Sequence, residues 1–243
     1  MLIQLSLSLF TLAMAWNNSY LSMELPEGWG CELVQGTWIC QSTLAPDRKE
    51  SVLLSIATNP TDFDSLDNYV EYLKKSRDLK DDEGNPYTST VTYSRKRNIN
   101  GHEWVDSLQH HSELPGFWTR YLATVYATEK NKLAILVTYV VSDERYSAIS
   151  ASFERMLATL KPNANFDLNV LSKQGDLKFP TEIQGPGATQ QDILRDRLNV
   201  RKGPLAVSGS KKTTTLLLAF ILVAAVVFVF LRQKKKASSK DRS

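Results

Sequence analysis

Two pairs of residues in this sequence are of types that could do chemistry. Cys31 and Cys40, the only cysteines, bracket the stretch CELVQGTWIC, and His110 and His111 stand side by side at the end of HEWVDSLQHH. Two thiols could close a disulfide, form half of a metal site, or cycle as a redox pair. A zinc site would need two further ligands at metal spacing, yet no other cysteine is present and His102, His110 and His111 lie far off along the chain. A redox pair is expected as Cys-x-x-Cys opening a helix, a spacing this stretch does not have. A structural clip is therefore expected, which also implies an oxidising compartment.

The imidazoles invite acid–base or metal chemistry. Neighbouring strand residues point to opposite faces, so one of His110 and His111 could meet Asp106 or Glu113. No nucleophile motif of the Gly-x-Ser-x-Gly type accompanies them, and no His-Glu-x-x-His. Gly185-Pro186-Gly187 lacks the preceding strand and following Lys-Ser/Thr of a phosphate loop, and Asp81-Asp82-Glu83 ends a solvated helix. The sequence thus assigns no catalytic residue, no cofactor and no metal site. A binding surface is the better expectation: LPGFW puts Phe117 and Trp118 at a turn, where exposed rings serve as interface anchors. Phe117, Trp118, His110 and His111 are the candidate binding residues, against the competing reading that both aromatic rings alternate into a sheet.

The elements that must position these residues can be read from periodicity. A hairpin turning at Gln35-Gly36 pairs Val34 with Thr37, Leu33 with Trp38, Glu32 with Ile39 and Cys31 with Cys40. The last pair falls on a non-hydrogen-bonded rung, with Cα atoms about 4.5 Å apart and within reach of a disulfide. A longer loop with a one-residue shift remains open, because Gln at positive φ is not the best turn residue. SYLSMEL (19–25) and SVLLSIAT (51–58) read as strands. SLDNYVEYLKKSRDLKDDEG reads as an amphipathic helix, N-capped by Asp64 or Ser65 and stopped at Gly84-Asn85-Pro86. Strand-like runs follow at 88–97, 102–111, 117–128 and 133–141, separated by short breaks that imply antiparallel neighbours. The last of them is apolar on both faces and should be a central strand. Residues 143–161 carry a helical stripe of Tyr146, Ile149, Phe153, Met156 or Leu157, and Leu160. This order makes an α+β domain, an antiparallel sheet with helices on its faces.

That layout, with LPEGW early, Ile99-Asn100-Gly101 before a strand, a two-sided apolar strand late and Phe153 to Lys161 ending a helix as F-x-x-M-L-x-T-L-K, resembles the PsbP-like family over about residues 20–161. The resemblance implies an α/β/α sandwich acting as a binding or assembly module with no shared catalytic centre.

The two ends bear on location. Residues 1–15 are apolar or small and finish in Ala13-Met14-Ala15, as a signal peptide cleaved before Trp16 would. Thr213 to Leu231 is an uncharged apolar run that as a helix covers about 28 Å, against a hydrocarbon core of about 30 Å. Six basic residues follow it and two lie immediately before it, which puts 232–243 in the cytoplasm and 16–212 outside. Without that tail the chain has 23 basic and 25 acidic residues, so its basic character lies in the tail and nucleic-acid binding is not expected. The expected organisation is a leader (1–15), an exported domain (16–161), a Pro- and Gly-rich stalk (162–212), a transmembrane helix (213–231) and a basic tail (232–243). Within the stalk, Asp192 to Val200 could form a short helix with Ile193, Leu194 and Leu198 on one side, either docked on the domain or transient. The functional expectation is a non-enzymatic, membrane-anchored envelope protein that touches the bilayer through 213–231 and binds another protein or assists assembly of a membrane complex. The alternative is a small-ligand or lipid-sensing domain, or a weak hydrolase, near the bilayer.

Overall fold

A computed structural model describes residues 14–44, 47–81, 83–128, 132–163 and 190–198. Its centre is a seven-stranded antiparallel sheet in the order β3-β4-β5-β11-β10-β9-β8. The strands are β3 (Trp29–Val34), β4 (Thr37–Ser42), β5 (Ser51–Thr58), β8 (Thr90–Ile99), β9 (His102–His110), β10 (Phe117–Ala127) and β11 (Lys132–Ser142). The turns explain why neighbours in sequence are neighbours in space. Gln35-Gly36 and Asn100-Gly101 all take positive φ, the backbone of the two-residue hairpin turn that matches strand twist. The first turn sets the register expected from sequence, Val34 opposite Thr37 through to Cys31 opposite Cys40. Strand β11 lies at the middle of the sheet, and its residues 133–141 are buried on both faces.

Alternation along the strands sends Leu53, Leu122, Ile135, Val137 and Tyr139 to one face. Covering that face are α2 (Asp143–Thr159) and a small sheet of β1 (Met14–Asn17), β2 (Leu21–Leu25) and β12 (Lys161–Pro162). Phe153, Met156 and Leu157 of α2 carry the expected stripe into this core, where Phe153 stacks on Tyr139 at 4.2 Å. Met14 and Ala15 of the expected leader lie in β1, opposite Leu25 and Glu24; residues 1–13 lie outside the described residues.

The opposite face is covered in two parts. Helix α1 (Leu66–Leu73), N-capped by Ser65 Oγ accepting from Asn68 N–H at 3.2 Å, seats Tyr69 and Leu73 on Ile56, Tyr121, Val105 and Leu136. It is eight residues long and stops well before Gly84, where the sequence places its end. After Leu73 the apolar stripe lapses, Arg77 turns inward, and the chain forms the hairpin β6 (Asp78–Lys80) and β7 (Pro86–Thr88). The second cover is α3 (Gln190–Arg197), from the expected stalk. Ile193, Leu194 and Leu198 are buried against Ile39, Val52, Leu54, Leu114 and Val140. Arg197 pairs with Glu32, and its carbonyl accepts from Gln41 Nε2 at 3.3 Å. Among the described residues no helix is long and apolar enough to cross a membrane; the expected span 213–231 and tail 232–243 lie outside them.

Candidate functional site

The candidate binding residues sit where β9 gives way to β10. His110 and Trp118 are cross-strand partners, so strand alternation brings both rings to the face covered by α2. The strand then ends. His111 takes a left-handed backbone, φ +59°, and its ring folds back onto its neighbour instead of pointing to the opposite face. Its N–H donates to the Phe117 carbonyl at 2.9 Å, and its Nδ1 accepts from Gly116 N–H at 2.8 Å. The result is a ladder of four rings. His111 lies on His110 at 3.6 Å, His110 on Trp118 at 4.4 Å, and Trp118 on Tyr146 of α2 at 4.7 Å, all near parallel. His110 Nε2 donates to Asp143 Oδ1 at 2.7 Å. All four rings are partly exposed.

Two expectations about these residues need correcting. The histidines share one side because alternation ends with the strand, and the carboxylate that meets His110 is Asp143, not Asp106 or Glu113. Phe117 is separated from Trp118: one position along β10 it faces the other way and packs on the cluster beneath α3. The turn therefore presents one of the two expected aromatic anchors at the ladder and buries much of the other.

Trp118 and Tyr146 also form the wall of a cavity of about 120 Å³ between the sheet and α2, whose apolar lining includes Leu108, Val141 and Phe153. Its polar side is a closed ion network. Arg120 donates to both oxygens of Asp106, at 2.8 and 2.7 Å, and to Glu154, while Arg97 donates to Asp106 and Glu154 at 3.1 Å each. Burial would raise the Glu154 carboxyl, but the hydrogen bond and charge of Arg120, then those of Arg97, hold it below the usual carboxylate range. Two guanidinium groups face two carboxylates, so the network is neutral and its members are mutually committed. The cavity thus offers apolar walls and no unpaired charge within this network.

Behind the turn, on the opposite face, Glu113 is fully buried. Tyr121 Oη donates to Glu113 Oε1, and Arg77 Nη2 stands 4.0 Å from the same oxygen. Arg77 also donates to Tyr121 Oη at 3.2 Å and to Gln109 Oε1 at 3.4 Å, while Gln109 donates to the carbonyl of Leu73 at 2.8 Å. Burial pushes the Glu113 carboxyl up to about 7, against the opposing charge of Arg77 and the hydrogen bond from Tyr121. A titrating carboxyl of this kind suits acid–base chemistry. Glu113, Ser112 and Tyr121 are all sealed from solvent, so an outside molecule does not reach them in this conformation. The sequence missed this cluster because it placed Arg77 in a helix; the only local signal was an acid beside an apolar residue in a short turn.

Cys31 and Cys40 form the disulfide, with Cα atoms 4.0 Å apart. Trp38, two residues before Cys40 on β4, meets Trp16 edge-on at 5.6 Å, so the clip ties β3 to β4 while the tryptophan pair packs the hairpin against the small sheet. Among the described residues no group of three or more His, Cys, Asp or Glu could hold a metal.

Against known proteins, no family model matches the chain and no curated sequence is significantly similar to it. Solved structures are. The cyanobacterial PsbP (CyanoP) of Synechocystis sp. PCC 6803 matches with TM-score 0.42 and 10% identity, over 63% of this chain and 94% of that one. LpqN of Mycobacterium tuberculosis, described as involved in cell envelope biogenesis, matches with TM-score 0.43 and 10% identity, over 59% and 83%. The Ran-binding protein Mog1p of Saccharomyces cerevisiae matches with TM-score 0.35 and 8% identity, over 62% and 93%. The first two share the PsbP-like fold that the sequence resembles, and likeness at this level does not reach function.

Proposed function

We propose that this chain is a non-enzymatic, single-pass envelope protein whose exported domain docks another protein through the Trp118 ladder, in assembly of a membrane complex. The observation that carries the reading is the ladder itself: His111, His110, Trp118 and Tyr146 stack in series, partly exposed, along the wall of an apolar-lined cavity. Rigid, half-exposed aromatics beside a pocket are the usual anchors of protein interfaces, since they bury large area at little conformational cost. The charged groups beside the cavity are committed to one another, which favours an apolar or aromatic side chain of the partner as the group that enters. The anchoring half of the proposal is supported by the uncharged run Thr213 to Leu231 and the basic residues after it.

In-cell crosslinking of the tail-tagged full-length chain tests the docking half. A partner recovered at near-stoichiometric yield, lost on Trp118→Ala and kept on Trp118→Phe, supports it; recovery unaffected by Trp118→Ala overturns it. Protease added outside intact cells or spheroplasts should digest the domain and spare a tail epitope, and the reverse pattern overturns the orientation. A small apolar ligand in the same cavity is the second reading, favoured by its apolar lining of Leu108, Val141 and Phe153 beneath α2. It would appear as a stoichiometric organic molecule on native mass spectrometry.

A further inference from the structure

We propose that His111 gates this docking surface by proton binding: the neutral ring holds the ladder closed, and acid opens the turn of residues 111–116 and disperses the rings. The inference rests on the reading of the ladder as a docking surface, and it is carried by the hydrogen bonds that fix the tautomers. Gly116 N–H can only donate, so His111 Nδ1 must offer its lone pair and the neutral ring carries its proton on Nε2. A proton added at Nδ1 sets donor against donor across 2.8 Å, and the bond that ties the turn together is lost. A charged His111 ring would also lie stacked at 3.6 Å on His110, whose Nε2 donates to Asp143 Oδ1. The left-handed backbone of His111, unfavourable for a side chain without local support, adds to the tendency to open.

The surrounding groups act in known directions. Asp143 and Tyr146 from α2 are the titratable groups facing the stack; Trp118 from β10, and Thr90, the partner of His110 across β8, bring no charge. Burial and then the neighbouring His110 ring lower the proton affinity of His111 below that of a free histidine, with Asp143 opposing. The folded state therefore favours the neutral ring. Its contribution is complete above the free-histidine value of about 6.5 and is lost as pH falls below it. Glu113 sits in the same turn but faces Arg77 and Tyr121 on the other side of the sheet, and acid eases its burial. Loosening at low pH thus has the opposite sign to any effect of Glu113.

Hydrogen exchange of the full-length protein at pH 7.5 and 5.5, with rates corrected for intrinsic exchange, tests the gate without any partner. Peptides covering 111–117 should lose protection about tenfold relative to β5 and β11, the response expected when an opening equilibrium is coupled to one proton and the pH falls from about one unit above to about one unit below the free-histidine value of about 6.5. The His111→Asn variant supplies an acceptor near the place of Nδ1, tolerates positive φ and does not titrate, so its turn should show no pH response. An unchanged wild-type turn, or the same loosening in His111→Asn, overturns the proposal; if that variant does not fold, His111→Gln, which also cannot titrate, must show less than half the response. Partner capture at both pH values separates the two readings. Loss on Trp118→Ala together with an unresponsive turn leaves docking intact and sinks the gate, as does capture that persists at pH 5.5 while the turn opens.

Discussion

Replacing Glu113 by glutamine should reshape the pH dependence of stability, and the structure gives both sign and size. The carboxyl is sealed from solvent, its Oε2 has no hydrogen-bond partner among the described residues, and burial pushes it up from 4.5 to about 7. A group whose folded value is raised stabilises the fold fully below its unfolded value and loses that contribution as pH rises through the folded one. The window is therefore from about 4.5 to about 7, and the gap at about 1.4 kcal/mol per pH unit amounts to about 3 kcal/mol. Glutamine cannot ionise. Near pH 4.5 the variant should match the wild type to about 1 kcal/mol, and near pH 8 it should be the more stable by about 3 kcal/mol. Urea unfolding of both proteins across this range, followed by tryptophan fluorescence, gives the difference at each pH and cancels His111 and every other shared titration. Parallel stability curves would refute the reasoning, since they would mean that Glu113 titrates alike in the folded and unfolded chain. A difference of opposite sign would mean that Arg77 at 4.0 Å outweighs burial and keeps the carboxylate charged.

Other perturbations test the remaining supports. Reduction of Cys31–Cys40 should cost about 3 kcal/mol by loop entropy and lower the Tm of the domain; free thiols in the natively isolated protein would contradict the exported disulfide. Asp106→Ala leaves Arg97 and Arg120 without their shared buried carboxylate and should cost about 3–5 kcal/mol in urea unfolding, where a loss under about 1 kcal/mol would show the network to be dispensable. Leu194→Asp puts a charge where α3 is fully buried, so exchange protection of 190–198 should vanish while β11 stays protected; unaltered protection would refute the docking.

What could be read from sequence was whatever local backbone geometry determines. Gln35-Gly36 placed Cys31 opposite Cys40 because a two-residue turn leaves one register, and the two-sided apolar pattern of 133–141 placed β11 in the middle because its residues need cover on both sides. His110 and Trp118 were legible as neighbours on adjacent strands, but their ladder was not. It depends on His111 leaving the strand at positive φ and on Tyr146 arriving from a helix 28 residues beyond Trp118, neither of which strand alternation encodes.

The misplaced end of α1 and the ambiguous segment 190–198 are one problem seen twice. A helix continuing to residue 83 would have lain along much of the second sheet face, and a stalk would then have had nothing to cover. As built, α1 is eight residues long, about 12 Å, against a seven-stranded sheet about 29 Å across. It covers Ile56, Val105, Tyr121 and Leu136 and leaves Ile39, Val52, Leu54 and Val140 to another element. The apolar stripe of α3 was visible in Ile193, Leu194 and Leu198, but not its target, which α1 leaves uncovered by ending at Leu73, ahead of the Arg77 contacts to Tyr121 and Gln109. Docking of the segment after the sandwich thus matches the stretch of sheet that a short α1 leaves bare, and periodicity within either helix does not reveal that fit.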